Sequence, residues 1–164
     1  MASHIEGERL IIAATLDPVE TGQEFERMPP HMTIVRWFQM QENRHYRVTG
    51  AMDRMFTHQA IYQNLRGAEH ATFGEEGQFK VRVLTGVETG PSFGLRALVR
   101  SLGSFREDDI YADRFSAHVT DVPGHEVRRG QKLALPTVAL ISAHSDASVQ
   151  RVVESFKLGQ KNDG

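Results

Sequence analysis

Two stretches place a threonine two residues after a histidine: Pro30-His31-Met32-Thr33-Ile34-Val35 and Ala117-His118-Val119-Thr120-Asp121-Val122. Both lie in apolar, β-branched runs, which predicts strands whose side chains alternate between faces. Each His therefore points the same way as its Thr, about 6.6 Å along the strand, close enough for an imidazole and a hydroxyl to address one phosphate. Histidine ordinarily titrates near about 6.5, so one copy can accept a proton and another donate one around neutrality. A threonine hydroxyl can donate to a non-bridging phosphate oxygen and stabilise the charge that builds there. This set suits opening or hydrolysis of a phosphodiester by water or a ribose hydroxyl. His31, Thr33, His118 and Thr120 are the candidate catalytic residues, and the chemistry requires no metal and no cofactor. A His metal site would need more ligands than His31 and His118, and threonines are poor ones.

Taken singly, each motif histidine also has a plain reading as a satisfied core residue. The chain holds eight histidines, and a third copy of the spacing, His70-Ala71-Thr72, sits between Glu69 and Gly74 at the lip of an expected hairpin. Its acidic, turn-rich surroundings mark it as accidental.

The elements that must carry the motifs follow from periodicity. Leu10 to Leu16, ended by Asp17-Pro18, reads as a buried central strand. After Pro29-Pro30 a strand runs from His31 to about Phe38, with His31, Thr33, Val35 and Trp37 on one face and Met32, Ile34, Arg36 and Phe38 on the other. From about Asn43 the period becomes helical, with Val48, Met52, Met55 and Phe56 as its stripe and Tyr62 to Gly67 as a frayed end or loop. His70 to Phe73 and Phe79 to Leu84, around a turn at Gly74 to Gly77, predict a hairpin. A second helix is marked by Ser92 near its start, by Leu95, Leu98, Val99 and Leu102, and by Gly103 past its end. Glu107-Asp108-Asp109 reads as a solvated loop. The second motif strand spans about Arg114 to Val122 and stops at Pro123-Gly124. Leu133 to Ile141 reads as one buried strand kinked or bulged at Pro136, and Val149 to Leu158 fits helix and strand alike.

This order predicts an α+β fold of two related lobes, each with mostly antiparallel sheet, with outer helices and a central cleft where the motifs meet. A single two-lobed domain is expected over residues 1–164. The formal charge of -2 argues against a polybasic scaffold, so the expected partner is a nucleotide or short RNA rather than a DNA duplex. With no cysteine, disulfides, thiol nucleophiles and cysteine metal sites drop out, which suits a cytoplasmic protein. Met1 to Arg9 carries acids and no apolar segment, so no secretory signal is expected, and no apolar run approaches the roughly 20 residues that cross a bilayer. A monomer is expected.

The first strand from Arg9 to Leu16, then Pro30-His31-Met32-Thr33-Ile34, then after a long middle His118-Val119-Thr120 and a closing apolar strand, resembles the 2H phosphoesterase superfamily, the LigT-like or 2'-5' RNA ligase family. The resemblance implies paired α+β lobes around a cleft, His31 and His118 as acid and base, and Thr33 and Thr120 as phosphate holders. It also implies a strand for Val149 to Leu158. It implies activity on 2',3'-cyclic phosphates, 2'-5' linkages, cyclic nucleotides or RNA ends. Asp121 departs from the pattern, because relatives commonly carry an apolar residue there, and on a regular strand it faces away from His118. Trp37, Phe38, Tyr111 and Phe115 lie near the motifs and include candidates for base stacking; Phe38 reads as core, and Trp37, about 20 Å along the strand from His31, cannot touch the same phosphate. Ser116 shares the His118 face. A catalytically silent nucleotide-binding module and a 2'-5' RNA ligase using the same cleft remain as alternatives.

Overall fold

Leu10 to Thr15 forms the middle of the molecule because every side chain in that run can be buried. In a computed structural model, which describes residues 9–40, 44–57, 60–73, 79–102, 105–106, 117–143 and 149–158, strand β1 spans Arg9–Thr15 and none of Leu10 to Thr15 is more than 3% exposed. In chain order there follow β2 (Glu24–Phe25), β3 (His31–Gln39), helix α1 (His45–Phe56), β4 (Leu65–Phe73), β5 (Phe79–Thr85), helix α2 (Gly90–Ser101), β6 (Phe105–Arg106), β7 (His118–Thr120), β8 (Lys132–Leu133), β9 (Thr137–Ala143) and β10 (Gln150–Lys157). They build one ten-stranded sheet in the order β2-β10-β9-β1-β3-β7-β5-β4-β8, with β6 paired to β3. Among the described residues every strand pairing is antiparallel. The architecture is the expected α+β class. Its two halves join edge to edge through β3 and β7, one motif strand from each.

Both helices cover one face of the sheet. Val48, Met52 and Phe56 of α1 and Leu95 and Val99 of α2 pack with Leu10, Ile12, Met32, Ile34 and Phe38 in the main core. A smaller cluster of Ile11, Val19, Ala139, Ile141 and Val152 occupies the other face, with Phe25, Met28 and Trp37 against it. Among the described residues, no helix is long and apolar enough to cross a membrane.

Several local expectations are corrected. The β1–β3 register shifts between Leu10 and Ile12 and again between Ile12 and Ala13, so β3 is bulged. Ile34 and Val35 both reach the main core, while Arg36 is exposed; simple alternation assigned Val35 and Arg36 to the wrong faces. Of Tyr62 to Gly67, expected as a frayed helix end or loop, Tyr62 to Asn64 is loop with Tyr62 fully buried, and Leu65 to Gly67 instead opens β4, where Leu65 pairs with Leu133. Leu133 to Ile141 is two strands. Pro136 separates β8, on β4 at one edge, from β9, which lies between β1 and β10 in the other half. A proline without an N–H suits that crossing. The described part of the second motif strand is short, His118–Thr120, with Arg114 to Ser116 outside the described residues. Also outside them are the Gly74 to Gly77 turn, Gly103, the Glu107 to Asp109 loop, Tyr111 and Phe115. The ambiguous final segment is a strand, β10.

Ser92 does not cap α2, whose N-cap is Thr89. It is fully buried inside the first turn and donates to the Ile34 carbonyl at 2.7 Å. Ile34 is the residue skipped by the β3 register, so α2 satisfies a carbonyl at the bulge just beyond Thr33. Ser92→Ala is expected to lower unfolding free energy by about 1–3 kcal/mol, the range for stranding a buried acceptor, as read from urea denaturation.

Candidate active site

The two motifs become neighbours because β3 and β7 pair antiparallel with Met32 across from Val119. Met32 and Val119 point into the helix-side core and are 0% and 1% exposed. The flanking residues must point to the opposite face, which sets His31 across from Thr120 and Thr33 across from His118. All four are half-buried. The hydroxyl nearest each imidazole thus comes from the other motif, since directly opposite Cβ atoms lie about 4.5–5.5 Å apart. The two histidines occupy a diagonal, where separations run about 7–8 Å, enough for one phosphate between the rings. On either side, β1 sets Thr15 across from His31 and Ala13 across from Thr33, and β5 sets Val81 across from Thr120 and Val83 across from His118.

His31 has a defined tautomer. Its Nδ1 lies 2.8 Å from the Pro29 carbonyl, which can only accept, so Nδ1 carries the proton and Nε2 keeps its lone pair. The Pro29-Pro30 entry to β3 therefore orients the ring as well as stopping helix. Burial holds the His31 pKa below its ordinary value, the Pro29 bond opposes this, and the nearby His118 charge lowers it further. At neutral pH the His31 ring is unprotonated.

Two consequences can be measured. The His31 ring should titrate by NMR below the ordinary 6.5, and the midpoint should rise in a His118→Gln variant, which removes one lowering influence. Because the folded state binds the His31 proton less readily than the unfolded chain, the unfolded state holds more protons below about 6.5. Stability is full above that value and falls as pH drops through the folded pKa. His31→Gln should flatten that acid-side decline in thermal melts.

Two threonines that sequence reasoning did not single out adjoin the site. Thr15 and Thr137 are buried and form a hydroxyl–hydroxyl hydrogen bond. The Thr15 Oγ1 donates at 2.7 Å to the Asp17 carbonyl, so Thr137 supplies the proton between the two. Both hydroxyls are thus committed to fastening β1, β9 and the turn behind His31. A polar residue closing the apolar Leu10 to Ala14 run was the available signal.

The third His-x-Thr copy is elsewhere. His70 pairs with Arg82, which pairs with Val119, so His70 lies on the face away from the motif threonines. Its Nε2 is 3.2 Å from Asp121 Oδ2. Asp121 is therefore turned from His118 and engaged with His70. Trp37 packs against the smaller cluster, with the Arg9 guanidinium 5.3 Å over its ring. Phe38 is core, as expected. Among the described residues, no three His, Cys, Asp or Glu side chains are grouped so as to hold a metal ion.

No protein-family profile matches the chain, and no curated protein matches its sequence. Solved structures do. The chain superposes on TT0787 of Thermus thermophilus with TM-score 0.61 at 19% identity, covering 92% of this chain and 97% of that one. The crystal structure of a phosphoesterase matches with TM-score 0.62 at 13% identity, over 94% of this chain and 100% of the other. E. coli LigT complexed with 3'-AMP matches with TM-score 0.58 at 13% identity, over 93% and 99%. These likenesses define the class of fold: the chain has the α+β fold seen in LigT.

Proposed function

We propose that this protein is a phosphodiesterase acting on a 2',3'-cyclic phosphate, a 2'-5' linkage or a cyclic nucleotide, with His31 and His118 as its acid–base pair. The observation that carries this reading is the β3–β7 pairing, which gathers two imidazoles and two hydroxyls on one face. The likeness in fold to E. coli LigT, which has been solved with 3'-AMP and with phosphate, supports it.

With a cyclic phosphate, His31 Nε2 accepts a proton from water as the water oxygen bonds to phosphorus. The bond from phosphorus to one ribose oxygen breaks, and protonated His118 gives its proton to that oxygen. Thr33 and Thr120 donate to the non-bridging oxygens, whose charge grows in the transition state. The lowered His31 pKa supports a base role for it, with His118 as the acid in this reading. Residues 1–164 act as one two-lobed unit in this reading, with the site on the strand pair that joins the halves.

The test is an assay of chelator-treated protein against 2',3'-cyclic mononucleotides, 2'-5' dinucleotides, 3',5'-cyclic nucleotides and cyclic oligonucleotides. Turnover of at least one substrate, undiminished by the chelator, is expected. Tight binding of a panel member with no turnover over hours would replace this reading with the silent binding module, and end joining without cleavage would replace it with a ligase.

A further inference from the structure

At the sheet edge farthest from β10, β4 and β8 set Arg66 directly across from Lys132. Both are exposed. Like charges directly opposite on a sheet are destabilising, so the bare fold gains nothing from this pair. Among the described residues, neither Arg66 nor Lys132 has a carboxylate partner.

The register places this pair on the motif face. His118 is across from Val83, Thr85 is the next same-face residue of β5, Thr85 is across from Arg66, and Arg66 is across from Lys132. The alternate residues agree, because Leu65 pairs with Leu133 and both contribute to the helix-side core. Two strand spacings and one same-face step separate His118 from Arg66, about 12 Å, and one further spacing makes about 16 Å to Lys132. Those separations exceed the reach of the reacting phosphate's own oxygens and match the next phosphates of an extended strand.

The edge is also built to hold its shape. The Gly67 N–H donates to the Gln131 carbonyl at 2.9 Å, and the Gly130 N–H to the Gly67 carbonyl at 2.8 Å, fixing Lys132 opposite Arg66. A Cβ at Gly67 would lie 2.3 Å from the Arg128 carbonyl oxygen, so only glycine permits this approach. Beside the pair is an open cavity of about 340 Å³ whose polar lining is Gln63, Asn64, Arg66 and Lys132.

We propose that Arg66 and Lys132 form a second phosphate-binding subsite, which takes the backbone of a single-stranded RNA whose terminal phosphodiester reacts at His31 and His118. This rests on the phosphodiesterase reading and deepens it, since it makes an oligonucleotide, rather than a mononucleotide, the preferred substrate. Two cations opposite one another are relieved by a polyanion between them, and a chain of formal charge -2 has no general attraction for one.

The experiment compares a short single-stranded RNA ending in a 2',3'-cyclic phosphate with the cyclic mononucleotide of the same base. In the R66E/K132E double variant the oligonucleotide-over-mononucleotide preference in kcat/KM is expected to fall about tenfold or more, carried by KM. Equilibrium binding of the same oligonucleotide to His118→Ala protein, with and without R66E/K132E, gives a readout independent of turnover. The salt slope of log affinity should shrink by about 0.7 for each phosphate no longer neutralised. Wild-type protein that turns over neither substrate would defeat the phosphodiesterase reading, and the binding arm would still decide the subsite. Oligonucleotide affinity and salt slope indifferent to the two charges would overturn it, as would charge-dependent binding to acidic lipid vesicles without binding to RNA. Thermal melting keeps the variants interpretable: relief of the like-charge pair should leave R66A/K132A at least as stable as wild type.

Discussion

Replacing either His31 or His118 with alanine is expected to cut turnover of the phosphodiester substrate by roughly 10²- to 10⁴-fold, the usual contribution of a positioned acid or base. The His31→Ala variant loses the ring whose Nε2 is left free by the Nδ1 bond to the Pro29 carbonyl. Without His118 the leaving ribose oxygen must depart as an alkoxide or take its proton from water. The two losses should not multiply, since an acid and a base that act in one step fail together once either is gone. The acid limb of the kcat/KM profile should fall below pH 6.5, reporting the lowered His31 pKa in the free enzyme. Steady-state kinetics on both single variants and the double variant check this, with circular dichroism confirming the fold. A loss smaller than about tenfold in either single variant would remove the two-histidine mechanism.

Thr33→Val and Thr120→Val should each lower kcat by about 10²- to 10³-fold, the range for deleting one hydrogen-bond donor to a developing oxyanion. Valine keeps the β-branched shape and strand preference, so the register that places the histidines survives. The hydroxyl is then the only thing lost. Since Thr33 stands across from His118 and Thr120 across from His31, each substitution removes the donor nearest the other motif's histidine. The effect belongs mainly in kcat, because the charge on the non-bridging oxygens grows between bound substrate and transition state. A change confined to KM would make the threonines simple phosphate anchors. Serine at either position, which restores the hydroxyl, should recover most of the rate.

How much of this was legible from residues alone differs from element to element. The apolar runs Leu10 to Ala14 of β1 and Val138 to Ile141 of β9 and the stripes of α1 and α2 declared themselves, because burial of a strand or of one helical face demands a local pattern. That the two His-x-Thr motifs lie on strands was legible for the same reason, since both sit in β-branched runs. The bulges were not. In β10 the register shifts between Val152 and Glu154, and Val152 joins the smaller cluster while Phe156 joins the main core. That one extra residue breaks the period of two and makes a strand look half-helical. The same effect in β3 moved Val35 and Arg36 to faces that alternation does not predict.

What the sequence by itself determined is the chemistry available: two imidazoles, each with a same-face hydroxyl, on short strands in separate halves of the chain. Only the tertiary structure decided that β3 and β7 pair directly, that each threonine faces the other motif's histidine, and that Arg66 and Lys132 share their face. It also separated β8 from β9 at Pro136 and committed Thr15 and Thr137 to each other. The physical reason is the same throughout. Side-chain direction along a strand follows from a local period of two, but which strands become neighbours, and in what register, is set by backbone hydrogen bonds between segments far apart in sequence and by the core that each face must bury.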